Sequence, residues 1–173
     1  MKRIERSEER RKSDFHSYKE NRVDEIIENK LYLTNYQAVT RNPEMIYELG
    51  IEVIVSILEF EPFSDIDKPE EYNNIEIIHF EIEDNSKENI KQFFKRFHDI
   101  MESGRKVLVH CYGGISRSAT LVISYLISVL KSDLEYINIE DLIDMVKKIR
   151  PCINPNPGFI KQLETYKEER INH

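Results

Sequence analysis

The sequence predicts an α/β fold in which a central, mainly parallel sheet of about five strands is flanked by helices. Two features of its 173 residues carry that expectation. Short runs dense in β-branched residues alternate with longer segments whose apolar residues recur every three or four positions. One such run, Val107-Leu108-Val109, passes through a glycine-containing loop into Ala119 to Leu130, a segment apolar nearly all round.

Residues 1–22 show almost no apolar periodicity and read as a basic N-terminal tail or a loosely held helix. From Val23 the pattern changes. Ile26, Ile27 and Leu31-Tyr32-Leu33 outline a short hairpin that turns at Glu28-Asn29-Lys30. Pro43 to Leu49 reads as a short helix, with Asn42 as its cap and Gly50 just past its end. Ile51 to Leu58 is nearly continuous apolar and β-branched residue, the pattern of a strand buried on both faces. An acidic loop from Glu59 to Asn74 follows, then a second strand from Ile75 to Ile82. Glu83-Asp84-Asn85-Ser86 has turn chemistry. Between Asn89 and Ser103, the residues Ile90, Phe93, Phe94, Phe97, Ile100 and Met101 define the buried face of a helix that Gly104 closes. Lys106 to His110 is a third strand beyond the hairpin. Ile139, Leu142, Ile143, Val146 and Ile149 mark a helix stopped by Pro151, and a last helix begins near Pro157.

The chain is 40% hydrophobic and 33% charged, the balance of a soluble globular domain. No apolar run approaches the roughly 20 residues of a membrane-spanning helix. The opening MKRIERSEERRKSDF lacks the apolar core of a secretory signal. Two cysteines, Cys111 and Cys152, make no disulfide framework, so a reducing cytoplasmic or nuclear compartment is expected. Residues 1–22 carry eight Lys/Arg against five Asp/Glu. The rest carry 17 against 27, within totals of 25 and 32 and a net charge of −7. An acidic domain is a poor platform for nucleic acid. The basic tail is either a solvated extension or a contact for an acidic partner or a membrane surface. The acidic stretch Glu59 to Glu71 is either a solvated loop or a feature favouring basic sequences in whatever the chain binds.

The chemistry concentrates in Val109-His110-Cys111-Tyr112-Gly113-Gly114-Ile115-Ser116-Arg117-Ser118. This loop lies at the carboxyl end of a strand, where open α/β sheets bind ligands. Its glycines let the backbone turn its N–H groups toward one centre, and the following helix N-terminus adds positive potential. The same field favours the thiolate of Cys111, whose pKa it lowers by roughly 1 to 5 units. Cys111 is then the nucleophile that attacks phosphorus. Arg117, six residues on, can fork two N–H donors onto phosphoryl oxygens. An exposed Cys111 thiolate is also open to oxidation.

These residues resemble the signature of the dual-specificity protein phosphatases, the atypical single-domain type within the cysteine-based tyrosine phosphatases. The likeness continues in Leu31-Tyr32-Leu33, in Asp84 with Asn89-Ile90 and Phe93-Phe94, and in Arg150-Pro151-Cys152-Ile153-Asn154-Pro155-Asn156-Pro157-Gly158-Phe159 with Gln162-Leu163. It covers about residues 23 to 166 and implies a tyrosine phosphatase-like sheet, with a catalytic domain over residues 23–170.

The resemblance also implies roles. Backbone amides of Tyr112, Gly113, Gly114, Ile115, Ser116 and Arg117 would hold the phosphate. His110 would support the lowered pKa of Cys111 from beneath, or is a satisfied core histidine. Ser118 would donate to the sulfur, or cap the helix. Asp84 would be general acid and base, with adjacent Glu83 as substitute. Asn156 would brace the loop or cap the last helix. Cys152 is expected to be a buried bystander, and Tyr112 to border the pocket. No cofactor or metal is implied, and His16, His79, His98 and His173 show no ligand spacing. The implied substrate is a phosphorylated protein, carrying phosphotyrosine or phosphoserine/phosphothreonine. The alternatives are a phosphoinositide, a glycan or an RNA 5′ end under the same chemistry, or a non-catalytic phosphoprotein-binding module.

Overall fold

The computed structural model of the chain describes residues 21–173; segment 1–20, with His16 and nearly all of the expected tail, lies outside the described residues. Five strands form one sheet: Asp24–Ile27 (β1), Leu31–Thr34 (β2), Val53–Leu58 (β3), Glu76–Glu81 (β4) and Val107–His110 (β5). Their order is β1-β2-β5-β3-β4. Only β1 runs antiparallel, as the outer arm of the expected hairpin; all other pairings are parallel. Asn29 makes that hairpin turn at φ 54°.

β5 and β3 are buried on both faces, and their alternation sorts side chains between two layers. Val53, Val55, Ile57, Val107 and Val109 enter the larger core, while Ile54 and Leu108 enter a smaller one with Ile46 and Tyr72. Each fully buried aliphatic side chain contributes about 1.5–3 kcal/mol relative to exposure, so both faces are strongly anchored. The polar exceptions are Ser56 and His110, neighbours in the β3–β5 register.

Among the described residues six α-helices cover the sheet: Tyr36–Arg41 (α1), Pro43–Glu48 (α2), Phe94–Glu102 (α3), Arg117–Val129 (α4), Ile139–Lys147 (α5) and Pro157–Ile171 (α6). The larger core contains the buried faces of α3 to α6, with α4 buried almost throughout, as its all-round apolar pattern predicts. The smaller core contains Val39 of α1 and Ile46 of α2. No helix among the described residues is long and apolar enough to cross a membrane.

Three local expectations change. Helix α1 was not foreseen, because its YQAVTR buries only Ala38 and Val39 and shows no apolar stripe. Asn42 does not cap α2 with its side chain; its backbone N–H closes α1 on Ala38 O at 2.9 Å. The helix expected over 89–103 opens as a 3₁₀ turn at Ile90–Phe93 and becomes α-helical only from Phe94.

Candidate active site

The parallel strands bring their carboxyl ends to one edge of the sheet, and the residues just past those ends build the site. β5 ends at His110; the chain crosses Cys111 to Ser116, and α4 opens at Arg117. Every carbonyl from Cys111 to Ile115 is engaged by a neighbouring group. His110 Nδ1 lies 3.0 Å from Cys111 O, and the Tyr36 N–H donates to Tyr112 O at 3.1 Å. Arg150 donates to the carbonyls of Gly113 and Gly114 at 3.4 and 2.9 Å. The Asn154 N–H donates to Ile115 O at 2.7 Å. In a trans peptide the N–H points opposite to the carbonyl, so carbonyls tied outward turn the amides of Tyr112 to Ser116 toward the loop's centre. One of them, Gly114 N–H, reaches Cys111 Sγ at 3.2 Å.

Gly114 has φ 65°, and a Cβ there would lie 2.5 Å from both Thr34 O and Arg150 Nη2. Glycine is therefore required where the loop rests on the end of β2.

Cys111 is only 3% exposed, not the exposed thiolate expected, because the strand delivers it to the edge of the larger core. Burial alone would push its thiol pKa up. The Ser118 hydroxyl and amide, the Arg117 charge and the Ile115 amide outweigh this and hold it below the ordinary thiol value. The Ser118 Oγ stands 3.1 Å from the sulfur. Ser118 is not the helix cap, for Ser116 occupies that position. The Ser116 hydroxyl accepts from Asn156 N–H at 2.9 Å.

His110 is fully buried, and burial pushes its pKa down to about 4, so the ring is neutral near pH 7. Facing a carbonyl, Nδ1 must carry the proton, which leaves Nε2 to accept from the Ser56 hydroxyl at 2.6 Å. The histidine therefore acts on the loop as a neutral hydrogen-bonding strut.

Arg117 is 5% exposed. Its Nη1 donates to Glu59 Oε2 and to Ile82 O, the latter at 3.0 Å. Its Nε is buried and has no hydrogen-bond partner among the described residues. A buried guanidinium donor without an acceptor is uncommon, and beside a ring of inward amides it suits an oxyanion.

Asp84 and Glu83 are exposed in the segment after β4. Asp84 Oδ1 accepts from Asn156 Nδ2 at 2.9 Å. Asn156 contacts both the start of α6 and the loop. Its side chain caps α6 through Phe159 N–H at 2.9 Å, and its backbone N–H ties the loop at Ser116. It thus links Asp84 to the loop. Glu83 makes no such link; it lines an acidic cleft of about 340 Å³ with Glu59, Glu81, Ile82 and Glu88. Tyr112 is 58% exposed, with its ring stacked on Tyr36 at 6.0 Å. Cys152 is half-buried, 3.9 Å from Gly114 O, and burial raises its thiol pKa. Among the described residues no group of three or more His, Cys, Asp or Glu is placed to hold a metal ion.

Sequence reasoning missed Ser56, Glu59 and the bracing role of Arg150, which is completely buried against Asp24 Oδ2 at 2.9 Å. Ser56 left a signal, since a lone serine in a strand buried on both faces needs a polar partner. Glu59 stands first after the end of β3, but nothing in sequence separates it from the other acids of its loop.

A family model for the dual specificity phosphatase catalytic domain matches residues 31–169. The chain is 47% identical over 88 residues to a probable dual specificity protein phosphatase of Dictyostelium discoideum, covering 49% of this chain and 39% of that one. It is 35% identical over 145 residues to a putative tyrosine phosphatase of Invertebrate iridescent virus 6, covering 82% of this chain and 89% of that one. The crystal structure of the human tyrosine phosphatase-like serine/threonine/tyrosine-interacting protein superposes with a TM-score of 0.73 at 30% identity, covering 85% of this chain and 96% of that one. The chain belongs to the dual specificity phosphatase family. It spans 39%, 32% and 14% of the lengths of three of the Dictyostelium discoideum relatives it matches.

Proposed function

We propose that the chain hydrolyses phosphotyrosine and phosphoserine/phosphothreonine in protein substrates through a phosphocysteine on Cys111. The observation that carries this reading is the Cys111 thiol, with lowered pKa, at the floor of a loop whose amides face inward beside the unpartnered Nε of Arg117. The thiolate attacks phosphorus as the P–O bond to the substrate breaks, and Asp84 gives its proton to the departing oxygen. Arg117 and the loop amides hold the three equatorial oxygens, whose charge they match best at the transition state. Water then attacks phosphorus and gives a proton to the Asp84 carboxylate. The P–S bond breaks, phosphate leaves, and the Ser118 hydroxyl donates to the returning thiolate.

Protein substrates are favoured over polyanionic lipids or RNA ends because the loop carries no lysine between Cys111 and Arg117. The cleft beside Arg117 is also lined by four glutamates. Several charged phosphates would meet like charge there. The similarity to a human tyrosine phosphatase-like interacting protein motivates a second reading, capture of phosphoproteins without turnover. The simultaneous presence of Cys111, Arg117 and Asp84 supports turnover instead.

The test is hydrolysis of a small aryl phosphate near neutral pH, without added metal, by the wild type and by Cys111→Ser. Turnover by the wild type, reduced at least about a thousandfold by the substitution, is expected. A folded, reduced wild type that binds phosphopeptides but does not turn over would replace the enzymatic reading with the capture reading.

A further inference from the structure

We propose that Tyr112, Tyr36 and Phe60 form an aromatic platform at the rim of the loop, which takes an arginine side chain flanking the phosphorylated residue. This rests on the reading that the loop binds that residue's phosphate, and it narrows the substrate class to phosphopeptides with a nearby arginine. Tyr112 follows Cys111 directly in the chain. An extended peptide advances about 3.3–3.6 Å per residue, so side chains one to three positions from the phosphosite reach the neighbouring rim.

The platform is built around Tyr36, the first residue of α1. Its N–H donates to Tyr112 O at 3.1 Å, and its ring stacks on that of Tyr112 at 6.0 Å with an interplanar angle of 21°. Phe60 meets the Tyr36 ring edge-on at 5.4 Å, and the Tyr36 hydroxyl donates to Pro62 O at 3.0 Å. One tyrosine thus pins the segment after β3 beside the loop. Tyr36 and Phe60 are half-buried, whereas Tyr112 is 58% exposed. The Tyr112 ring is therefore held in place without being covered. A ring already fixed loses little freedom when a ligand stacks on it.

Charge selects the occupant, since an apolar side chain and a cation can both lie on an aromatic face. The pinned segment, residues 59–71, carries six Asp/Glu against one lysine, Lys68. Glu59 pairs with Arg117, and Glu61 lies 3.4 Å from His79 Nδ1. Asp65 is the next carboxylate, exposed and without an ion pair among the described residues. Burial raises the Tyr36 phenol pKa and the Asp65 charge adds to it, which places that carboxylate beside the platform. A guanidinium lies flat on a ring while its edge forks onto a carboxylate, and a lysine ammonium lacks that plane. Arginine is therefore favoured over lysine and over apolar residues.

The experiment measures kcat/KM for a phosphotyrosine peptide of otherwise alanine and glycine, with Arg, Lys, Leu, Phe or Glu placed near the phosphosite on either side. Wild type, Tyr112→Leu and Asp65→Asn are compared, with thermal melts to verify folding. At its best position the arginine peptide should exceed the leucine peptide about fivefold or more in the wild type, the upper range of one exposed cation–π contact. Tyr112→Leu, which keeps the backbone amide, should cut this ratio at least about threefold. Asp65→Asn should cut it about twofold, and less at high salt, with turnover of a small aryl phosphate unchanged. A merely structural role would lower every peptide alike and leave the ratio in place. An arginine preference below about twofold would overturn the proposal, as would a stronger preference for Leu or Phe, or one that survives Tyr112→Leu. An inactive wild type would sink the functional reading alone. Fluorescence anisotropy of the same peptides, labelled and bound to that protein, would then decide the arginine preference by the same ratios. Absence of any binding would overturn the platform as well.

Discussion

The loop from Cys111 to Arg117 and the segment carrying Asp84 are linked through Asn156 but are built in opposite ways. From Cys111 to Ile115 each carbonyl is tied, and the ties come from β2's neighbour α1, from β5 itself and from the segment before α6. The segment from Glu83 to Ser86 is exposed, and its links to the site run through the start of α6: Asp84 and Ser86 to Asn156, and Ser86 Oγ to Gly158 N–H at 3.3 Å. Gly158 is needed there, because a Cβ would stand 1.9 Å from Ser86 O. The difference teaches a division of labour. An oxyanion site gains by being fixed before substrate arrives, whereas a group that must give and regain a proton needs access to the substrate and to water.

Removing a brace from the loop gives the largest expected effect. Arg150→Met leaves the Asp24 carboxylate buried with, among the described residues, Arg22 still paired to it at 2.5 Å, and strips donors from the Gly113 and Gly114 carbonyls. We expect a loss of about 3 kcal/mol in denaturant unfolding, at the low end for a broken buried pair because Arg22 remains. Stability near that of wild type would mean that the loop is not held from beneath as described. On the other side of the comparison, Asp84→Asn should leave unfolding within about 0.5 kcal/mol of wild type, as for an exposed residue. Its kcat should fall about a hundredfold, and the basic limb of the pH–rate profile should flatten. Equal activity would transfer the proton role to another group, and Glu83→Gln would then be measured. The smallest effect belongs to Ser118→Ala, about a tenfold loss of kcat with the acidic limb of the profile displaced upward.

The legible parts of this molecule are those in which one stretch of chain holds both pattern and function. Cys111 to Ser118 lies between a strand and a buried helix, so the proposed nucleophile, the amides and the arginine are contiguous and readable. The hairpin, the three parallel pairings and the single buried helix α4 follow from period and composition in the same way. What escapes is assembled across the sheet. Ser56 meets His110 only through the β3–β5 register, 54 positions apart, and Glu59 meets Arg117 58 positions away. Helix α1 escapes for a different reason, since it is held by the Asn35 side chain at Ala38 N–H and not by an apolar stripe. The exposure expected of Cys111 failed because chemistry fixes that a thiolate must be reachable by substrate, while the fold fixes how deep it sits.

The claim on which all of this depends is that the loop stabilises a thiolate despite burial, and it is tested by titrating Cys111 itself. The rate of alkylation by iodoacetate, followed against pH in a Cys152→Ser background, reports its thiolate fraction. With a depressed pKa, reactivity should persist through neutral pH and fall only as pH drops through an inflection well below the free-thiol value of about 8.5. Inorganic phosphate should protect the thiol. An inflection at or above the free-thiol value in the folded protein would mean that burial prevails over Ser118, Arg117 and the amides, and the loop would not be an activating site.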